Sequence, residues 1–229
     1  MRVLFILSSS DTAFWLSEVT HPYWHLTERG VEVDFASPKG GKVVWDPYSD
    51  PYLENSTEPD DLVSKGFLSD KTLLGKLETT SRLKDVDLGR YDAVHVAGGR
   101  GATFDLYPNE EVAKALDHFW AKGQVVGAIC HGAIALGNIP ERVRGRRTTG
   151  YTLEGDQELQ RLFGKSFLIP HYPQQVLEDV GSVYSRVAPN DPYVVKDGKL
   201  LTGQNQQSAS EYALVFLHAL TGASPVSAD

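Results

Sequence analysis

Eight residues, Val125-Val126-Gly127-Ala128-Ile129-Cys130-His131-Gly132, run a β-branched stretch into a small-residue turn that presents a thiol followed at once by an imidazole. A short apolar run of this kind is a strand buried on both faces, as parallel sheets require. A strand-to-helix turn at its end lifts a nucleophile above the sheet edge, where the next residue's backbone N–H stabilises an oxyanion. An isolated free cysteine is by default a buried packing residue, but that account leaves the flanking glycines unexplained. Cys130 is also the only cysteine of the chain. No intrachain disulfide is available, and the framework fits a reducing compartment, the cytoplasm.

The rest of the chain alternates strands and helices. Val3 to Leu7 reads as a central buried strand, and Ala13 to Glu28 as a helix that Pro22 should kink or restart, with Gly30 as its stop. Val31 to Phe35 alternates as a strand. Residues 38–66, rich in Pro, Gly, Asp and Ser, form a long loop in which Trp45, Tyr48 and Tyr52 either cap a pocket or pin the loop to the core. Asp70 to Leu83 reads as helix and Asp92 to Ala97 as strand. Asn109 caps a helix with Glu110 and Glu111 in its first turn, running to Ala121. Val194 to Leu201 is a hairpin on a Lys-Asp-Gly turn. Ser208-x-x-Glu211 reads as a capping box for a last helix through Leu220, and Ala223 to Asp229 as a frayed tail. The expectation is an α/β fold, a mainly parallel sheet sandwiched by helices.

Composition narrows the function. A chain of 229 residues, 41% of them hydrophobic, supplies one full core. The first apolar run is too short for a secretory signal, and no run approaches the ~20 residues of a membrane span. A net charge of −8 argues against a nucleic-acid surface, and the basic cluster Arg142–Arg147 is short enough to be a solvated turn. A small molecule is the expected partner, with no nucleic acid and no membrane.

In such sheets, ligands bind beyond the carboxyl ends of the strands. The loops there are the one after the first strand, Gly98-Gly99-Arg100-Gly101, and the Cys130 turn. A helix beginning after Cys130, together with His131, would favour the thiolate and make the thiol a target of peroxide. Gly98-Gly99 either brings a backbone N–H to a substrate or simply makes a tight turn. Glu18, His21 and His25 share a helical face at metal-ligand spacing, but Pro22 disturbs that helix and nothing completes the shell. No metal is expected.

Six segments carry a resemblance: Glu18-Val19-Thr20-His21-Pro22-Tyr23, Phe35-Ala36-Ser37-Pro38-Lys39-Gly40-Gly41, Gly98-Gly99-x-Gly101, Ala128-Ile129-Cys130-His131-Gly132, Thr149-Gly150-Tyr151-Thr152 and Leu201-Thr202-Gly203-Gln204-Asn205. In order and spread, they resemble the ThiJ/PfpI superfamily, which has the flavodoxin-like, class I glutamine amidotransferase-like fold, and above all its heat-shock chaperone and glyoxalase III branch. The resemblance implies one ThiJ/PfpI-like domain over residues 1–229, with an insertion around 38–66, and a homodimer. It implies Cys130 as nucleophile, His131 as its adjacent histidine, Asp156 as the orienting acid with Glu154 as the near alternative, and Glu18 as a buried acid. Gly98, Gly99 and Arg100 fall in the oxyanion and substrate-binding loop, with the backbone amides of Gly99 and His131 as donors. That branch often has histidine where this chain has Arg100, which makes the pocket more cationic.

Burial would raise the pKa of Glu18, so that a protonated carboxyl hydrogen-bonds the sulfur and shuttles protons. The implied activity is that of a cofactor-free, glutathione-independent glyoxalase acting on a small carbonyl substrate. The alternatives are a Cys-His-Asp amidase or peptidase, or a redox-sensitive stress chaperone that uses an exposed apolar patch.

Overall fold

The computed structural model describes residues 1–164 and 167–222. In chain order its elements are β1 (Arg2–Ile6), α1 (Ser17–Thr27), β2 (Glu32–Ser37), α2 (Leu62–Ser69), α3 (Lys71–Glu78), β3 (Ser81–Arg82), β4 (Ala93–Val96), α4 (Ala102–Asp105), α5 (Glu110–Ala121), β5 (Val125–Ile129), α6 (Pro140–Val143), β6 (Arg147–Thr148), α7 (Leu153–Phe163), α8 (Pro173–Asp179), β7 (Val183–Tyr184), β8 (Val194–Asp197), β9 (Leu200–Gly203) and α9 (Ala209–Thr221). Seven strands make one sheet in the order β3-β2-β1-β4-β5-β9-β8. All its neighbours are parallel except the β8–β9 hairpin, and β6 pairs with β7 apart from it.

Side chains of a strand alternate between the sheet faces. From β1, Val3 and Phe5 join a core with Tyr212 and Phe216 of α9 and Val19 and Leu26 of α1. Leu4 and Ile6 join the opposite core with Val112, Leu116 and Phe119 of α5. Covering both faces gives the sandwich that the continuous apolar run Val3–Leu7 implies.

The chain leaves β1 toward β2 and β3, then returns to build β4, β5 and β9 on the other side. The strand order therefore reverses between β1 and β4, the position where such sheets open a crevice at their carboxyl edge. The loop after β1 is stitched to the long loop after β2. Phe14 donates its N–H to the Val44 carbonyl at 3.1 Å and accepts from Asp46 at 2.8 Å, and Leu16 donates to Ser49 Oγ at 3.0 Å.

Several boundaries differ from the sequence reading. Helix α1 begins at Ser17 rather than Ala13, because Ala13 adopts φ +71° and Phe14 pairs with the long loop. Pro22 does not restart α1, which runs through it to Thr27. The long loop ends at Asp61, whose carboxylate caps α2 by accepting from Val63 and Ser64. The helix expected to Leu83 ends at Glu78 and is followed by β3.

Ser208 is no capping box. Its hydroxyl donates to Asn205 Oδ1, sits beside the Tyr193 carbonyl and accepts the Tyr193 N–H, and Asn205 accepts the Ser208 amide instead. Asn109 caps α5 as expected, accepting from Glu111 and Val112. The tail from Ala223 on lies outside the described residues. No described helix is long and apolar enough to cross a membrane.

Candidate active site

Three turns at the carboxyl edge of the sheet converge. Cys130 follows β5 with φ +57°, a left-handed conformation that costs a non-glycine residue about 1–3 kcal/mol and is held only by its surroundings. Tyr151 supplies part of that hold, donating its N–H to the Cys130 carbonyl at 3.1 Å. Residues Cys130–Asn138 continue as 3₁₀ turns, so the α-helix expected after the thiol is absent. The sulfur instead receives the backbone N–H groups of His131 and Gly99.

His131 Nδ1 lies 3.4 Å from Cys130 Sγ, and Nε2 lies 2.8 Å from Asp156 Oδ1. With the carboxylate accepting from Nε2, Nδ1 is left as the acceptor for the thiol proton. The imidazole also stacks on Tyr151, with centroids 4.3 Å apart. Asp156 lies in the first turn of α7 and is fully buried, with Oδ2 unpartnered. Glu154 points away and is paired with Arg186 at 2.8 Å.

Glu18, in the first turn of α1, is fully buried. Its Oε2 accepts the Gly98 N–H at 2.8 Å, Oε1 is buried without a partner, and the carboxyl is close enough to Cys130 for each to shift the other's proton affinity. Gly98 admits no side chain: a Cβ there would sit 2.6 Å from Glu18 Oε2 and 2.7 Å from the Ile129 carbonyl. Burial pushes the Glu18 carboxyl up to about 8. Burial and the neighbouring Glu18 carboxylate push the Cys130 thiol well above its usual range, while the His131 and Gly99 amides pull it down. A resting thiolate fostered by a helix N-terminus is therefore not what the structure holds. When Glu18 carries its proton the repulsion is gone, and burial alone is left to oppose the amides and the imidazole at the sulfur.

These groups open on a cavity of about 330 Å³ walled by Trp15, Tyr48, Tyr151, Leu159 and Phe163, with Arg100 at its edge. Of the loop aromatics, Tyr48 lines the cavity, whereas Trp45 packs on the core with its indole N–H on Asp50, and Tyr52 is exposed. Glu58 fixes Trp15, accepting from its indole N–H at 2.8 Å and from the Ser17 hydroxyl at 3.0 Å.

The sequence reading named Tyr151 within a motif but gave it no role, and it did not single out Glu58, Asp46 or Phe163. These come from distant loops and helix ends, and only Thr149-Gly150-Tyr151-Thr152 carried a local signal. Glu18, His21 and His25 do not converge. His21 is held by Ser210 Oγ at 2.7 Å and Asp61 Oδ1 at 3.0 Å, away from the Glu18 carboxyl. In the basic turn, Arg142 pairs with Asp117 and Arg146 with Asp197.

A strained cysteine at the carboxyl end of a parallel strand, with histidine next in chain, defines a class of flavodoxin-like proteins whose chemistry centres on that thiol. Residues 1–219 match the DJ-1/PfpI family, and the chain belongs to it. It is 28% identical over 230 residues to the glutathione-independent glyoxalase HSP31 of Saccharomyces cerevisiae, covering 95% of this chain and 93% of that one. Among solved structures, the Rapid Encystment Protein 24 kDa of Francisella tularensis superposes with a TM-score of 0.84 at 30% identity, covering 96% of this chain and 98% of the other. Glyoxalase III of Candida albicans superposes with a TM-score of 0.80 at 25% identity, over 97% and 98% of the two chains.

Proposed function

We propose that this chain is a glutathione-independent glyoxalase that adds water across a 2-oxoaldehyde such as methylglyoxal and releases the 2-hydroxy acid, here D-lactate. The observation that carries the reading is the buried Glu18 carboxyl, poised near neutrality and facing the Cys130 thiol. A hydrolase needs only the nucleophile and its base. A carboxyl on the other side of the sulfur is what an internal proton transfer requires.

The thiol proton of Cys130 passes to His131 Nδ1 as the sulfur attacks the aldehyde carbon. The developing alkoxide takes up that proton, with the Gly99 and His131 amides as donors, giving a neutral hemithioacetal. Glu18 as carboxylate removes the hydrogen from C1, the C2 carbonyl oxygen takes a proton from solvent water, which the C1 hydroxyl gives back in the next step, and an enediol forms. Glu18 returns its proton to C2 while the C1 hydroxyl loses one, leaving a thioester. Water then cleaves the carbon–sulfur bond, giving the 2-hydroxy acid and restoring the thiol. C1 is oxidised and C2 reduced within one molecule, so the steps balance with water and the named side chains alone.

D-lactate production from methylglyoxal tests the reading. The wild type should be active, and Cys130→Ala and Glu18→Gln should each lose at least about a hundredfold in kcat/KM. An inactive wild type, or an active Cys130→Ala, overturns it. The Cys130–His131–Asp156 row also supports an amidase or peptidase, which would keep activity on small amides in Glu18→Gln. The proposal includes a homodimer in a reducing compartment, in keeping with the one buried thiol, and light scattering of the purified chain checks the assembly.

A further inference from the structure

Arg100 is the only cation among the described residues lining the active-site cavity. Its guanidinium lies over the Phe167 ring, 4.5 Å from the centroid, which occupies one face and leaves the edge donors unused. It forms no ion pair among the described residues, and its Nε is buried without a partner. Asp46 shares the cavity and feels the charge of Arg100, but its Oδ1 is committed to the Tyr48 amide at 2.9 Å. A partly buried guanidinium that no carboxylate pairs directly among the described residues is an unmet demand.

The cavity is also much larger than a three-carbon substrate. About 330 Å³ reaches the range that holds drug-sized ligands. Tyr48, Phe163 and Phe167 form a continuous aromatic wall, with ring centroids 5.5 Å and 5.4 Å apart, that ends at Arg100.

We propose that the site is built for a 2-oxoaldehyde with an aryl-sized apolar substituent that ends in an anionic group, the apolar part against the aromatic wall and the anion on Arg100. This rests on the glyoxalase reading for the reacting end and on Arg100 with its wall for the other. Arg100 is a specificity-determining residue here, and Asp46 is its opposing charge.

The test compares kcat/KM for 4-carboxyphenylglyoxal and phenylglyoxal. The wild type should favour the carboxylated compound by roughly tenfold or more, Arg100→Gln should reduce that ratio to about one, and Asp46→Asn should raise it. A wild-type ratio near one, or a ratio unmoved by Arg100→Gln, overturns the proposal. A second arm needs no turnover: calorimetric binding of 4-carboxymandelate and mandelate to Cys130→Ala and to Cys130→Ala/Arg100→Gln. Preference for the dicarboxylate only where Arg100 is present supports the subsite, and equal affinities overturn it. If no aldehyde is converted, the glyoxalase reading falls and this binding arm alone decides the subsite.

Discussion

His95 Nε2 donates to the backbone carbonyl of Glu18 at 2.9 Å, filling a place that the helix itself leaves empty. In α1 that carbonyl would accept from the residue four places on, which is Pro22 and has no N–H. His95 Nδ1 then accepts from the Tyr212 hydroxyl at 2.8 Å, so β4, α1 and α9 are joined beneath the Glu18 carboxyl. A buried carbonyl left unpaired costs about 1–3 kcal/mol. His95→Phe should lose at least that much in urea denaturation, and Pro22→Ala in the same background should recover part of it by restoring the helical bond. Strictly additive effects of the two substitutions would show that the bond is not shared in this way.

The same two residues tie stability to pH with opposite signs. Burial holds the His95 imidazole down at about 3, against 6.5 for the free side chain. Between those values the unfolded chain binds a proton that the native one does not, so this contribution falls as pH drops. Glu18 is raised from 4.5 to about 8, so the native state holds the extra proton and its contribution is lost as pH rises through that window. Each amounts to about 1.4 kcal/mol per pH unit inside its window. Relative to wild type, Glu18→Gln should gain stability steadily from about pH 5 to pH 8, and His95→Gln should gain it as pH falls from about 6 to 4. Parallel stability–pH curves for wild type and variants would contradict both assignments.

Asp156→Asn should keep the fold and lower kcat/KM by roughly tenfold to a hundredfold, because an amide can donate to Nε2 and so place the imidazole proton on Nδ1, against the sulfur. Glu154→Gln, at a position whose carboxylate pairs with the exposed Arg186, should stay within about twofold of wild type. The reverse ranking in steady-state kinetics would move the orienting role to Glu154.

What was legible in the sequence was what local chemistry encodes. The apolar run Val3–Leu7, the Asn109 cap and the Lys-Asp-Gly hairpin each carry their own cause within a few residues, and the structure follows them. The Cys130 turn was legible because strain needs small neighbours. Asp156 was recognisable only through the family motif before it, since nothing local marks a helical aspartate as buried. The start of α1, the unbroken passage through Pro22 and the role of Ser208 were misread because long-range partners decide them. These are Val44 and Asp46 on Phe14, His95 on the Glu18 carbonyl, and Tyr193 on the Ser208 hydroxyl. The aromatic wall of the cavity joins residues more than a hundred positions apart, which no periodicity reveals.

The reactivity of Cys130 reports directly on Glu18. The carboxylate raises the thiol pKa by repulsion, and Gln in its place keeps the shape but carries no charge and can donate to the thiolate. Alkylation by iodoacetamide, followed by mass spectrometry of the peptide containing Cys130, should therefore show its inflection at lower pH in Glu18→Gln than in wild type. His131→Ala separates the two neighbours. It removes the base but not the Glu18 charge, so alkylation at neutral pH should slow without the inflection moving down. An unchanged inflection in Glu18→Gln would mean that the carboxyl and the thiol do not share their proton, and the proton shuttle assigned to Glu18 would fail with it.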